Sequence, residues 1–242
     1  MGRIGYGYGS EWQLLRMLGR HRNDFNDFIK KILLEREIIT DSKLDIEWLD
    51  FCYKRAKDEE LSGNDILMRK ELSKKHPKVL CKSKWDSVGV IDNKLLLIEA
   101  KGRLREFVKE NKAKAGKKSL DEYKSLLEKI HIEYQIDSNE YMQAWVRDAY
   151  QMGNRIAMHF YLMTLGIESY LVYVFFLNDW TFNYFNESYC SNKDSVKNED
   201  IWVDAMYKKL SQLGFDSEEK VNSIIKKMLF VFPNCDDQNT AI

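Results

Sequence analysis

"KWDSVGVIDNKLLLIEAKGRLREF", Lys84 to Phe107, contains an aliphatic run from Leu95 to Ile98 that ends at once in Glu99, Ala100 and Lys101. Apolar, β-branched segments flank Asp92-Asn93, a dipeptide suited to a tight turn, so the stretch predicts paired strands over about 86–91 and 95–101. Side chains alternate faces along a strand, so Glu99 and Lys101 project together while Ala100 points away. With the hairpin in register, Asp86 at the start of the first strand lies near that same end. Two carboxylates and an ammonium then converge on one spot.

The tripeptide alone says little. An acid, any residue and a lysine also occur in order from Asp41, Asp92, Glu110 and Glu218. A Glu/Lys pair at a strand end is commonly a solvated surface pair worth little. A fortuitous match in an unrelated fold would leave Asp86 and Glu99 far apart. The position at the end of an apolar strand is what gives "EAK" its weight.

The convergent set suits phosphodiester hydrolysis. Asp86 and Glu99 are hard oxygen ligands for Mg²⁺ or Mn²⁺, and the backbone carbonyl of Ala100 offers a further oxygen. A bound ion polarises the phosphate and acidifies a water, while Lys101 orients or deprotonates that water and offsets developing charge. Glu11, in the first turn of the first predicted helix, is an accessory ligand on this reading. The simpler alternative is that it favours the helix N-terminus.

Upstream, Ser10 opens that helix with Gln13 in the capping-box position, and apolar residues recur at helical spacing from Leu14 to Ile32. Residues 44–75 read as one or two shorter helices with Pro77 at the exit. Downstream, residues 101–118 hold eight Lys or Arg against two Glu without periodicity. They read as a basic loop in which Arg103 and Arg105 are candidate phosphate contacts, against the ordinary reading of a solvated charge run. Ser119 caps a further helix.

A long helix is predicted over about 140–165, stopping at Gly166. It carries Arg147, Gln151, Arg155 and His159 at successive i, i+4 positions, and Gln151 with Arg155 is expected to position a phosphate. A solvated polar face is the alternative. "SYLVYVFFLN" reads as a buried strand, 199–213 as an amphipathic helix and "MLFVF" as a last strand. The sum is a mixed α/β (α+β) domain with a small central mixed sheet flanked by helices.

The 242 residues suffice for one core, with 44% hydrophobic and 31% charged residues. Zero formal net charge excludes a global basic footprint, so nucleic acid would need a local patch. Cys52, Cys81, Cys190 and Cys235 are too widely spaced for a zinc knuckle or a disulfide framework, and reduced cysteines in a cytoplasm are expected. The opening residues lack the apolar region of a signal peptide, and "YLVYVFFL" is too short to span a bilayer. The aromatic segment "WTFNYFNESY" at 180–189 either forms a homodimer interface or packs on its own core.

The order of these parts resembles the PD-(D/E)XK nuclease superfamily, with its restriction-endonuclease-like fold: a helix bearing Glu11, "WDSVGVID", "LLLIEAKG", then a helix with "YQMGNRIA". The likeness covers about residues 8–178, leaving a helical insertion at about 44–75 and a C-terminal helical extension at about 199–242 of one nuclease-like domain. It implies that Asp86, Glu99 and Lys101 are the motif's two acids and lysine. Glu11 resembles the acidic residue many members carry on their first core helix, and Gln151 the glutamine some place on the helix after the lysine. Trp85 stands where the motif has proline, and Arg155 where one branch has tyrosine. "YGYGSEWQLLRMLGRHR" with "YQMGNRIAMHFYL" is similar to a bacterial subgroup of the superfamily. A divalent-metal nuclease acting on DNA is the activity implied; a fold reused to bind nucleic acid or a protein without cutting is the alternative.

Overall fold

The computed structural model describes residues 9–49, 61–69, 76–108, 117–179 and 195–235. The elements of the first half are α1 (Gly9–Leu18), α2 (Arg22–Glu35), β1 (Glu47–Trp48), α3 (Gly63–Arg69), α4 (Lys78–Cys81), β2 (Ser87–Ile91) and β3 (Lys94–Lys101). There follow α5 (Leu104–Val108), α6 (Lys117–Glu133), α7 (Ser138–Gln143), a π-helical turn (Ala144–Asp148), α8 (Tyr150–Thr164), β4 (Ser169–Phe175), α9 (Glu199–Gln212), α10 (Glu218–Ile225) and β5 (Met228–Val231). The mixed α/β class expected from the sequence is what forms.

One five-stranded sheet runs β1-β2-β3-β4-β5, antiparallel on the β1–β2–β3 side and parallel across β3–β4–β5. Asp92 and Asn93 both take positive φ, 49° and 60°, the left-handed pair a two-residue hairpin needs to follow the strand twist. That turn fixes the hairpin register, with Ser87 opposite Ile98 and Ile91 opposite Lys94. One step further sets Asp86 across from Glu99.

Alternation along the strands makes two cores. Leu96, Ile98, Ala100, Val172, Val174 and Leu229 meet Leu14, Leu18, Phe25 and Ile29 of α1 and α2 on one face. Leu95, Leu97, Leu171, Tyr173 and Phe175 meet Leu127, Ile156, Trp202 and Met206 from α6, α8 and α9 on the other. Burial on both faces explains why β3 and β4 read as continuous apolar runs. Among the described residues no helix is long and apolar enough to cross a membrane.

Several expectations change. Residues 44–49 are not helical: Ile46 and Trp48 are buried while Glu47 is exposed, and this alternation makes β1. Trp48 stacks on Phe25 and donates to Asn26 Oδ1 at 2.9 Å, so tertiary packing onto α2 holds the edge strand. The first helix breaks at 19–21 into α1 and α2. Gln13 is not a cap but a buried residue donating to Asp179 Oδ1 at 2.9 Å. The basic loop includes the short helix α5, and residues 109–116 lie outside the described residues, as do most of 44–75 beyond β1 and α3 and the aromatic segment 180–189. The long helix is interrupted: Ala149 N–H reaches back to the Ala144 carbonyl at 2.9 Å, one residue further than an α-helix allows.

Asn93→Val, forcing a β-branched residue into φ 60°, is expected to lower unfolding free energy by about 1–2 kcal/mol, and Asn93→Gly to leave it unchanged or slightly raised. Urea denaturation of the three proteins measures this.

Candidate functional site

β3 outruns its antiparallel partner. Trp85 turns its N–H to the Leu61 carbonyl at 3.0 Å, so the β2 ladder stops at the Ser87–Ile98 pair. Along a strand, N–H and C=O of one residue point the same way and successive residues alternate sides. The Lys101 carbonyl accepts from Phe176 N–H toward β4, which leaves Ala100 facing the side where β2 has ended. There its N–H donates to Asp86 Oδ2 at 2.7 Å. The Ala100 carbonyl points to that same side.

Glu99 and Lys101 project to the α8 face and are only 2% and 8% exposed. The solvated-pair reading therefore does not hold. Glu99 Oε1 accepts from the Lys101 ammonium and from Gln151 Nε2 at 2.6 Å, and Oε2 accepts from Arg155 Nε at 2.7 Å. A carboxylate has about four lone-pair sites; three are filled. Arg155 is itself held on three sides, by Glu99, by the Lys84 carbonyl at 2.6 Å from its terminal nitrogen, and by the Trp85 ring 4.3 Å below its guanidinium.

The interruption before α8 produces this placement. On one unbroken helix Arg147, Gln151 and Arg155 would share a face. With the extra residue of the π turn, Arg147 is exposed whereas Gln151 and Arg155 swing beneath Glu99. The turn is anchored by Trp145, whose Nε1 donates to the Leu213 carbonyl at 2.8 Å. His159 lies further along the same buried side, its Nδ1 2.8 Å from Ser169 Oγ. Burial pushes its imidazole down to about 4, so it is neutral. It is a core histidine rather than a lining residue.

Charge in the site is balanced. Burial alone would raise the Glu99 carboxyl, but Arg155 and Lys101 outweigh it and hold the group below the ordinary range. Burial would lower the Lys101 ammonium, yet Glu99 and Asp86 outweigh it and raise it. Asp86 has the opposite fate: burial and the neighbouring Glu99 charge raise it to about 7, against the pull of Lys101, the Ala100 N–H and Arg155. That mutual influence agrees with the register, which sets Asp86 across from Glu99. Glu106 adds a third acid, accepting from Gly102 N–H at 3.2 Å and raised by burial despite Lys101.

Asp86, Glu99, Lys101, the Ala100 carbonyl, Gln151 and Arg155 thus come together. Glu11 lies in the first turn of α1, a helix that packs through Leu14 and Leu18 on the opposite face of the sheet. The N-terminus of that helix approaches Gly102, next to Lys101, where an added Cβ would lie 3.4 Å from Ser10 N and 2.4 Å from Asp179 Oδ2. Arg103 pairs its backbone with Ser195, and Arg105 is exposed on α5. Sequence reading overlooked Trp85 as the platform for Arg155; the only signal was its position beside Asp86. The Lys84 carbonyl and Glu106 left no sequence signal at all.

Among the described residues no group of three or more His, Cys, Asp or Glu side chains is placed to hold a metal. The donors at this strand end are fewer but hard: the second oxygen of Asp86, the Ala100 carbonyl and the remaining lone pair on Glu99. A desolvated carboxylate raised to about 7 is one that a cation would stabilise. These oxygens fit Mg²⁺ or Mn²⁺ with waters completing the shell. No family model, curated protein or solved structure matches this chain.

Two stability measurements follow from these charges. Glu99→Gln leaves Arg155 and Lys101 buried around a neutral amide and is expected to cost about 3–5 kcal/mol in denaturant unfolding. The raised Asp86 makes the folded state bind a proton that the unfolded chain releases near pH 4, so stability from this group is lost as pH rises from about 4 to about 7. Asp86→Asn keeps an acceptor for Ala100 N–H and removes that loss. Its stability relative to the parent is expected to climb over that window by about 1–3 kcal/mol, allowing for water at the half-buried carboxyl.

Proposed function

We propose that this chain is a divalent-metal-dependent nuclease of the PD-(D/E)XK type, cleaving phosphodiester bonds of DNA in the cytoplasm. The observation that carries the reading is the convergence of Asp86, the Ala100 carbonyl, Glu99 and Lys101 where β3 outruns β2. Asp86, that carbonyl and Glu99 would hold Mg²⁺ or Mn²⁺, which when bound polarises a phosphate oxygen and acidifies a water.

The protein's own groups divide the remaining work. Lys101 stays an ammonium, because its two carboxylate neighbours outweigh its burial. As an ammonium it offers positive charge to the oxygens of a pentacovalent phosphorus. Gln151 and Arg155 keep the Glu99 carboxylate oriented and ionised. Glu99, Lys101, Phe107, Gln151, Arg155 and Tyr173 line a tight crevice with no internal space for a small molecule. A phosphate would therefore meet the crevice at its mouth, with Arg103 and Arg105 on the segment that follows β3 as candidate contacts.

A second reading has one observation in its favour. Glu99 already carries three donors, which leaves it little capacity to ligate a metal and favours a nuclease-fold protein that binds nucleic acid or a protein partner without cutting. Incubation of plasmid and single-stranded DNA with Mg²⁺ or Mn²⁺ separates the two. Cleavage is expected from the parent and is expected to fall by about 10²-fold or more in Asp86→Asn and in Lys101→Met. Cleavage that survives undiminished in both variants would sink the assignment, and DNA binding without cleavage would establish the second reading.

A further inference from the structure

Arg155 is a fixed cation lying directly against Glu99. Its Nε lies 2.7 Å from Glu99 Oε2, its terminal nitrogen 2.6 Å from the Lys84 carbonyl, and its guanidinium plane 4.3 Å over the Trp85 ring. All three contacts are made in a side chain 7% exposed. A guanidinium fixed by a carboxylate, a carbonyl and an indole face cannot leave without stranding each of them.

We propose, on the reading that this is a metal-dependent site, that Arg155 is a built-in cation that restricts it to a single divalent ion. Two independent observations agree. First, Lys101, Gln151 and Arg155 fill three of the roughly four acceptor positions of Glu99, so Glu99 cannot bridge two ions as a shared ligand must. Second, Asp86 and Glu99 are balanced by Lys101 and Arg155. One divalent ion leaves a surplus of two positive charges, which a phosphodiester and Glu106 can offset. A second ion would double that surplus in a largely buried site, where unpaired charge is strongly unfavourable. Arg155 is a positioning residue: it touches Glu99, and through Glu99 it sets how many ions the site accepts.

Mn²⁺ titration of the purified chain, read by calorimetry and by electron paramagnetic resonance without nucleic acid, tests this. The expected result is one Mn²⁺ per chain with no spin coupling between ions, affinity at least tenfold weaker in Asp86→Asn, and two coupled Mn²⁺ in Arg155→Met. Two ions bound by the parent overturn the proposal whatever the variant does, so a poorly folded Arg155→Met does not shield it. One ion in a folded Arg155→Met, by thermal melt and circular dichroism, also overturns it while leaving the nuclease reading intact. No Mn²⁺ binding sensitive to Asp86→Asn overturns that reading and the proposal together.

Discussion

A carboxylate buried between two cations organises this protein's most distinctive region. Glu99 is almost fully removed from solvent, and a desolvated anion of that kind is tolerable only with extensive charge-assisted hydrogen bonding. Lys101 from its own strand, and Gln151 and Arg155 from α8, supply it. Strand and helix are thereby locked at one relative position, because a shift of α8 along β3 would leave charge unpaired in the interior. The Phe107, Tyr173, Phe175 and Trp202 rings that pack on one another beside the site restrict water access to the same pair.

That lock depends on two irregularities. The first is the early end of β2, where Trp85 gives its N–H to Leu61 and thus denies Ala100 a backbone partner. The Asp86 side chain fills the gap, so a carboxylate sits in the plane of the sheet rather than on a face. The second is the π turn before α8, which rotates Gln151 and Arg155 under β3 and leaves Arg147 in solvent. Both departures from regular hydrogen bonding fall at the site and nowhere else in its supporting strands. Strands β3 and β4 are otherwise paired without interruption from Leu95–Ser169 to Lys101–Phe175, which gives the irregular parts a rigid base.

The sequence disclosed the regular parts of this arrangement because each rests on a local rule. Asp-Asn between apolar runs forces a two-residue turn, the turn fixes register, and register puts Asp86 opposite Glu99; no tertiary information is needed. The buried strand of "SYLVYVFFLN" and the helix stop at Gly166, whose φ is +75°, were legible for the same reason. What escaped was set by distant packing. "DIEW" has the alternation of a strand, but it is too short to outweigh its helix-forming neighbours until Phe25 and Asn26 are there to hold Trp48. The π turn has no periodic signature, so Arg147 counted as part of a stripe it does not join. Glu11 was read as part of the site from its place in the first helix; that helix packs its apolar side on the opposite face of the sheet and brings its N-terminus up to Gly102, beside Lys101.

Lys101 shows where a residue type can mislead about chemistry even when its position is right. A buried lysine on its own would lose its proton readily, since burial favours the neutral amine. Here two carboxylates lie against it, and their attraction for the ammonium exceeds the loss of hydration. Both depend on being ionised, and only Glu99 is held so by its partners; Asp86 is poised near 7. Whatever neutralises Asp86, whether a proton or a cation at its free oxygen, removes part of what keeps Lys101 charged. The lysine's proton affinity is therefore coupled to occupancy at Asp86 across the end of one strand. The two residues act as a unit, and substituting either alters the chemistry of the other as well as its own.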